Sequence, residues 1–130
     1  IEEQGAGLDA WERALAGAFW PGGLTLVLKM RDGREEGFRI PDCAVARALL
    51  DAAGTALRVT SANMSGNPAA IDAAGAVAAL GDVVELCLDA GPAPGGTASS
   101  VVRARNGRLD ILRSGAIPDA DIVRCLEGVR

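Results

Sequence analysis

The stretch Thr60-Ser61-Ala62-Asn63-Met64-Ser65-Gly66-Asn67-Pro68 sets hydroxyls and carboxamides at close spacing with no charge between them. Such groups can hold a ligand's oxygens by hydrogen bonds, and Gly66 lets the backbone come close or take positive φ. The same residue types dominate caps and turns for local reasons, so composition leaves both readings open. Arg39, in Gly37-Phe38-Arg39-Ile40, stands at the end of a short apolar run, where a side chain can point into a cleft or be solvated. The chain has no histidine. His-based triads and general bases are thereby excluded, and any chemistry must rest on hydroxyls, amides, arginines, carboxylates or the substrates themselves.

The elements that would position these groups follow from pattern. Leu8, Trp11, Leu15 and Phe19 make one apolar helical stripe, predicting a helix over 8–18. Trp20-Pro21-Gly22-Gly23 ends it, and residues 24–30 read as a strand that turns at 31–33. Gly37–Ile40 reads as a short strand. A helix from Asp42, as N-cap, runs to Ala53, with Gly54 as its stop and Val45, Ala46, Leu49 and Leu50 as its buried face. Ala56–Val59 predicts a strand leading into the polar loop. Asp72 would cap an alanine-rich helix to Leu80, and Asp82–Asp89 reads as a core strand because its apolar run is nearly continuous. Asn106-Gly107 between alternating runs is a strong hairpin signal for a type I′ turn. Ser99 and Arg113 lie about equally far from that turn, so the hairpin sets them near the same end of the sheet. A short helix over 118–126 follows.

Composition bounds the rest. The 130 residues are 49% apolar and 23% charged, enough to bury a core and far from disordered composition. A net charge of -4 gives no broad drive toward nucleic acid. Cys43, Cys87 and Cys125 are odd in number and far apart, which argues against a disulfide framework, and without histidine no Cys/His zinc site can form. With no signal peptide and no apolar run of about twenty residues, the expectation is a reducing cytoplasm and no membrane partner. The loop 91–96 matches neither the P-loop nor the dinucleotide-binding glycine pattern.

Four motifs, in order, carry a family resemblance. Thr60-Ser61-Ala62-Asn63-Met64-Ser65-Gly66 resembles the T-S-A-N-hydrophobic-S-G signature of the YrdC-like family, the threonylcarbamoyl-AMP synthases. Trp20-Pro21-Gly22-Gly23-Leu24-Thr25 is similar to its W-P-G-P-L-T, with Gly23 for the second proline, a change that loosens the loop but leaves Thr25 in register. Gly96–Val102 is similar to G-x-x-S-T-V-V, with Ser100 keeping a hydroxyl in place of Thr, and Ile111–Ile117 to I-L-R-x-G-A-I. The segment 39–44 resembles R-hydrophobic-x-D-H-P, with Cys43 and Ala44 in the His-Pro positions, and Arg103 stands where an acidic residue is frequent.

The resemblance implies an α/β chain of the α+β kind, a single YrdC-like domain with a twisted mixed sheet flanked by helices. It implies condensation of L-threonine, bicarbonate or CO2, and ATP into threonylcarbamoyl-AMP and pyrophosphate, a step toward the modified adenosine beside the anticodon of tRNA. Carried over by position, Thr25, Ser61, Asn63 and Arg113 would bind ATP, Arg39, Thr60 and Ser99 would bind L-threonine, and Mg2+ would accompany the triphosphate. The partners implied are downstream tRNA-modification proteins, with double-stranded RNA or tRNA as a further one. Two alternatives remain: the carbamoyl-adenylate-forming domain of a hydrogenase-maturation carbamoyltransferase, and a non-catalytic nucleotide- or RNA-binding module. The family's N-terminal strands and Lys-x-Arg pair have no match here. The expectation is a chain lacking about the first third of a typical member, with an exposed apolar sheet edge.

Overall fold

A computed structural model describes residues 7–93 and 97–129. The chain divides into two compact units, one of residues 1–56 and 97–130 and one of residues 57–96.

The first unit is built on a four-stranded sheet. The strands β1 (Leu24–Lys29), β2 (Glu35–Phe38), β3 (Ser100–Arg105) and β4 (Arg108–Arg113) lie in the order β2-β1-β3-β4. β1 pairs antiparallel with β2 and parallel with β3, and β3 pairs antiparallel with β4, so the sheet is mixed. Alternation sorts its faces. Leu24, Leu26, Leu28, Val102 and Ala104 point into the core, where they meet Leu15 of α1 (Ala10–Phe19) and Ile122 and Leu126 of α4 (Asp119–Leu126). Thr25, Val27, Lys29, Val101, Arg103 and Arg105 fall on the opposite face.

α1 starts at a full capping box. The Glu12 amide donates to Asp9 Oδ1 at 2.9 Å, and the Asp9 amide donates to Glu12 Oε2 at 2.7 Å. Asp9 Oδ2 also accepts from the Asn106 amide at 2.8 Å, which ties the helix start to the β3–β4 turn. That turn has Asn106 at φ 53° and Gly107 at φ 74°, the two left-handed residues a type I′ turn requires.

Several expectations are corrected. The second helix, α2, spans Ala44–Ala53, and its N-cap is Cys43 rather than Asp42, with no side-chain capping bond. Gly54 does end it, at φ 64°. Its expected buried face is not buried: Val45 and Leu49 are exposed, because no other element packs closely over that stripe among the described residues. β2 lies two residues earlier than expected, leaving Arg39 and Ile40 just beyond its end.

In the second unit the only regular elements among the described residues are α3 (Ala73–Leu80), capped by Asp72 as expected, and a 3-10 turn at Gly81–Val83. Neither Ala56–Val59 nor 82–89 forms a strand. Val59, Val83 and Leu86 are 89%, 80% and 74% exposed, so the apolar runs are present without the ladder partner that would make strands of them. Of the sheet edges, β4 carries the exposed Ile111 and Leu112.

Candidate functional site

Thr25, Ser99 and Arg113 converge at the end of the sheet where β1 and β3 begin and β4 ends. Thr25 Oγ1 and Ser99 Oγ share a hydrogen bond of 2.8 Å. Arg113 grips Ser99 three times: Nε and Nη2 donate to its carbonyl oxygen at 3.0 and 2.8 Å, and Nη2 donates to Oγ at 3.1 Å. A register shift between Val101 and Val102 sets Arg113 opposite Val101 and lets its side chain reach back to Ser99. Arg113 Nη1 has no protein partner among the described residues, and so remains the donor open to a ligand.

The chain around this cluster is closely stitched. Ser100 is wholly buried, and its hydroxyl donates to the Ile117 carbonyl at 2.7 Å while accepting from the Ile117 amide at 3.0 Å. The Ala116 amide donates to Ala98 O at 2.9 Å, and the Ser100 amide to Gly23 O at 3.0 Å. Gly115 lies so close to the start of β3 that a Cβ there would stand 2.4 Å from Ala98 O. A Cβ on Gly23 would stand 2.7 Å from that of Ala116. The glycine that departs from the proline of W-P-G-P-L-T therefore fills a position of close approach rather than merely loosening a loop. Trp20 of the same motif donates from Nε1 to Leu24 O at 2.7 Å, fixing the first residue of β1.

Arg39 is exposed and tethered to the Trp-Pro-Gly-Gly turn, its Nε donating to Gly22 O at 2.7 Å. Gly22 in turn donates its amide to Ile40 O at 2.9 Å, so the turn and the β2 exit hold each other. Only Nε is used; both terminal nitrogens of Arg39 are open among the described residues, the paired donors that suit a carboxylate.

Thr60, Ser61 and Asn63 lie in the second unit. Asn63 Nδ2 donates to Met64 O and Asn67 O, each at 3.0 Å, and the Asn63 amide donates to Ser61 O at 3.1 Å. These bonds fold the loop upon itself and leave Asn63 Oδ1 buried with no partner among the described residues. The Thr60 and Ser61 hydroxyls, on exposed residues, are likewise open there. The loop therefore satisfies the local turn reading and still keeps polar groups to spare.

Arg103 is held by opposite charges, to Glu35 at 2.8 Å and to Asp110 at 3.1 Å. Burial pushes the Asp110 carboxyl up, but hydrogen bonds from Arg103 and Arg108 outweigh it and hold the group below its ordinary value. The basic residue at that position thus belongs to a charge ladder across the open sheet face. The matched motifs contain Ser100, Gly115 and Gly22 but assign none of them a role; strand alternation, which turns Ser100 inward, was the available signal for the first.

Among the described residues no three His, Cys, Asp or Glu side chains converge as a metal site. The open donors are hydroxyl and guanidinium groups, which suit phosphate and carboxylate oxygens, whereas the open Asn63 Oδ1 is an acceptor. No helix of the described residues is long and apolar enough to cross a membrane.

A family model described as "Telomere recombination", for Sua5/YciO/YrdC proteins, matches residues 4–115. A Mycobacterium leprae protein with the provisional name threonylcarbamoyl-AMP synthase is 41% identical over 123 residues, 88% of this chain and 56% of that protein. The threonylcarbamoyl-AMP synthase of Bacillus subtilis is 31% identical over 120 residues, 85% of this chain and 35% of its own length. The crystal structure of P. abyssi Sua5 complexed with L-threonine superposes with a TM-score of 0.86 at 25% identity, covering 98% of this chain and 40% of that one. The chain thus spans about half the length of the mycobacterial relative and less of the others. With 112 consecutive residues matched and the four motifs in order, the chain belongs to the Sua5/YciO/YrdC family.

Proposed function

We propose that this chain carries the nucleotide- and threonine-binding part of an L-threonylcarbamoyladenylate synthase acting in the modification of tRNA adenosine beside the anticodon. The observation that carries the reading is the Thr25–Ser99–Arg113 cluster, a fixed set of hydroxyls and a guanidinium whose Nη1 is left open among the described residues. Two relatives bear that activity in their names, and the P. abyssi neighbour was solved with L-threonine.

In the reaction, the threonine amine bonds to the carbon of CO2 and loses a proton, giving a carbamate; starting from bicarbonate, water is also released. A carbamate oxygen then bonds to the α-phosphorus of ATP, and the bond to pyrophosphate breaks. No protein nucleophile is required, so the residues act by neutralising charge, aligning the reactants and keeping water from the carbamate. In the first unit, Arg113 and Thr25 would hold the nucleotide, Arg39 would pair with the threonine carboxylate and Ser99 would line the amino-acid pocket. For Thr60, Ser61 and Asn63 of the second unit the matched motif alone assigns the roles, Ser61 and Asn63 toward the nucleotide and Thr60 toward the amino acid. Magnesium would arrive with the triphosphate and offset its charge.

The test is incubation of the chain with ATP, magnesium, L-threonine and bicarbonate, followed by mass spectrometry. Threonylcarbamoyl-AMP that forms only when threonine and bicarbonate are both present is the expected result. A folded sample that binds neither ATP nor threonine would overturn the reading.

A further inference from the structure

We infer that Ser100 is a positioning residue for Arg113: its buried hydroxyl, bonded to both the amide and the carbonyl of Ile117, fixes the 114–117 turn and so aims the Arg113 guanidinium. The inference deepens the proposed function, because it rests on that reading for what Arg113 then holds.

Ser100 is the first residue of β3 and is fully buried, yet it is not lost polar surface, since both its donor and its acceptor are used on one residue. Ile117 lies four residues past Arg113. Between them, Gly115 presses on the backbone of 98–100, and the Ala116 amide bonds Ala98 O. The turn leaving β4 is therefore held against the segment leading into β3 from three sides. Two of those holds are backbone, and Ser100 is the one that depends on a side chain. Arg113 spends Nε and Nη2 on Ser99, the neighbour of Ser100, so a shift of this turn relative to β3 breaks those bonds and swings Nη1 away from its fixed direction. A hydroxyl is the group required, because only a donor and acceptor on one short side chain can serve both backbone groups of Ile117.

The test compares Ser100→Thr with Ser100→Val, which match in shape and differ in the hydroxyl, together with Ser100→Ala. The first readout needs no ligand: the Arg113 Nε–H signal in 15N NMR and its protection from exchange with water. Expected is protection in the wild type and Ser100→Thr, with loss of at least tenfold in the valine and alanine variants. Their far-ultraviolet circular dichroism should stay native. The second readout is titration calorimetry with Mg-ATP, where the variants lacking the hydroxyl should show Kd raised five- to tenfold with stoichiometry unchanged. Protection that persists in Ser100→Val overturns the inference, as does a Kd that stays constant while stoichiometry falls, the mark of a merely structural role. If both variants without the hydroxyl fail to fold while Ser100→Thr folds, the inference is likewise overturned. Loss of Arg113 protection in a protein whose wild type binds no ATP would sink the proposed function and leave the positioning role standing.

Discussion

Arg113 carries the most chemistry per atom, with two nitrogens spent on Ser99 and the third without a partner among the described residues. Its replacement by lysine keeps the charge but cannot reproduce the fork that grips a carbonyl and points elsewhere at once. Charge-assisted hydrogen bonds contribute about 1.5–3 kcal/mol each, so under the proposed function Arg113→Lys is expected to weaken ATP binding by about tenfold or more while circular dichroism is unchanged. Calorimetry that finds equal affinity would remove Arg113 from the proposed nucleotide site. Glu12 makes a different case. It is 1% exposed; Oε2 is used by the capping box, while Oε1 has no hydrogen bond and stands 3.8 Å from Arg105 Nη1. Burial raises its carboxyl above the ordinary 4.5, outweighing the opposing bond from the Asp9 amide. The folded chain then holds a proton that the unfolded chain has released, from about pH 4.5 upward to the raised value. Stability from this group is present below that window and falls as pH rises through it. Glu12→Gln keeps an acceptor for the Asp9 amide and removes the titration. Urea midpoints should therefore show wild type losing ground to the variant as pH rises above about 4.5; parallel curves would mean that the Glu12 carboxyl is not perturbed.

The β3–β4 hairpin was the most legible element, and the reason is local: Asn106-Gly107 encodes its own turn, and the register then puts Ser99 and Arg113 at one end. The capping of α3 by Asp72 and the stop at Gly54 were legible on the same ground. Residues 82–89 were not. Their apolar run reads as a strand, but a strand exists only where another chain segment supplies a ladder, and that is not written in the segment itself. Of the candidate site, the residue identities could be read from motifs, whereas the triple grip of Arg113 on Ser99 depends on a bulge that no residue type announces. The stitched turn after β4 also allows a sharp prediction. Gly115 does not take a positive φ; it is required by space, since a Cβ would meet Ala98 O, Ser99 C and Ser100 N at 2.4, 2.6 and 2.7 Å. These are backbone atoms and cannot rotate aside. Gly115→Ala should cost about 1–3 kcal/mol, the usual scale of overpacking, and should loosen Ser99 and Arg113 with it. Gly17→Ala, with nothing within 4 Å of its added Cβ, is the control and should leave the thermal midpoint unchanged or raised. Equal midpoints for wild type and Gly115→Ala would show that the turn is not tightly seated.

Taken as a whole, the chain distributes its stability unevenly between its two units. Among the described residues, every member of the buried apolar core belongs to the first unit, in α1, β1, β3 and α4. In the second, Val59, Ile71, Val83, Leu86 and Leu88 are exposed, and α3 contains no buried residue. Full burial of one such side chain is worth about 1.5–3 kcal/mol, so five left in water forgo on the order of ten kcal/mol that a core would have supplied. The second unit should accordingly open far more easily than the first. Amide exchange followed by mass spectrometry should show residues 57–93 exchanging at least a hundredfold faster than β1 and β3. The same exposed side chains form surface that water solvates poorly and that a second molecule can cover. Sedimentation velocity should therefore show the weight-average mass rising with concentration, and Val59→Glu combined with Leu86→Glu should suppress that rise without altering exchange in β1 or β3. A mass that stays monomeric over a hundredfold range of concentration, alongside slow exchange in 57–93, would mean that these apolar runs are covered in solution.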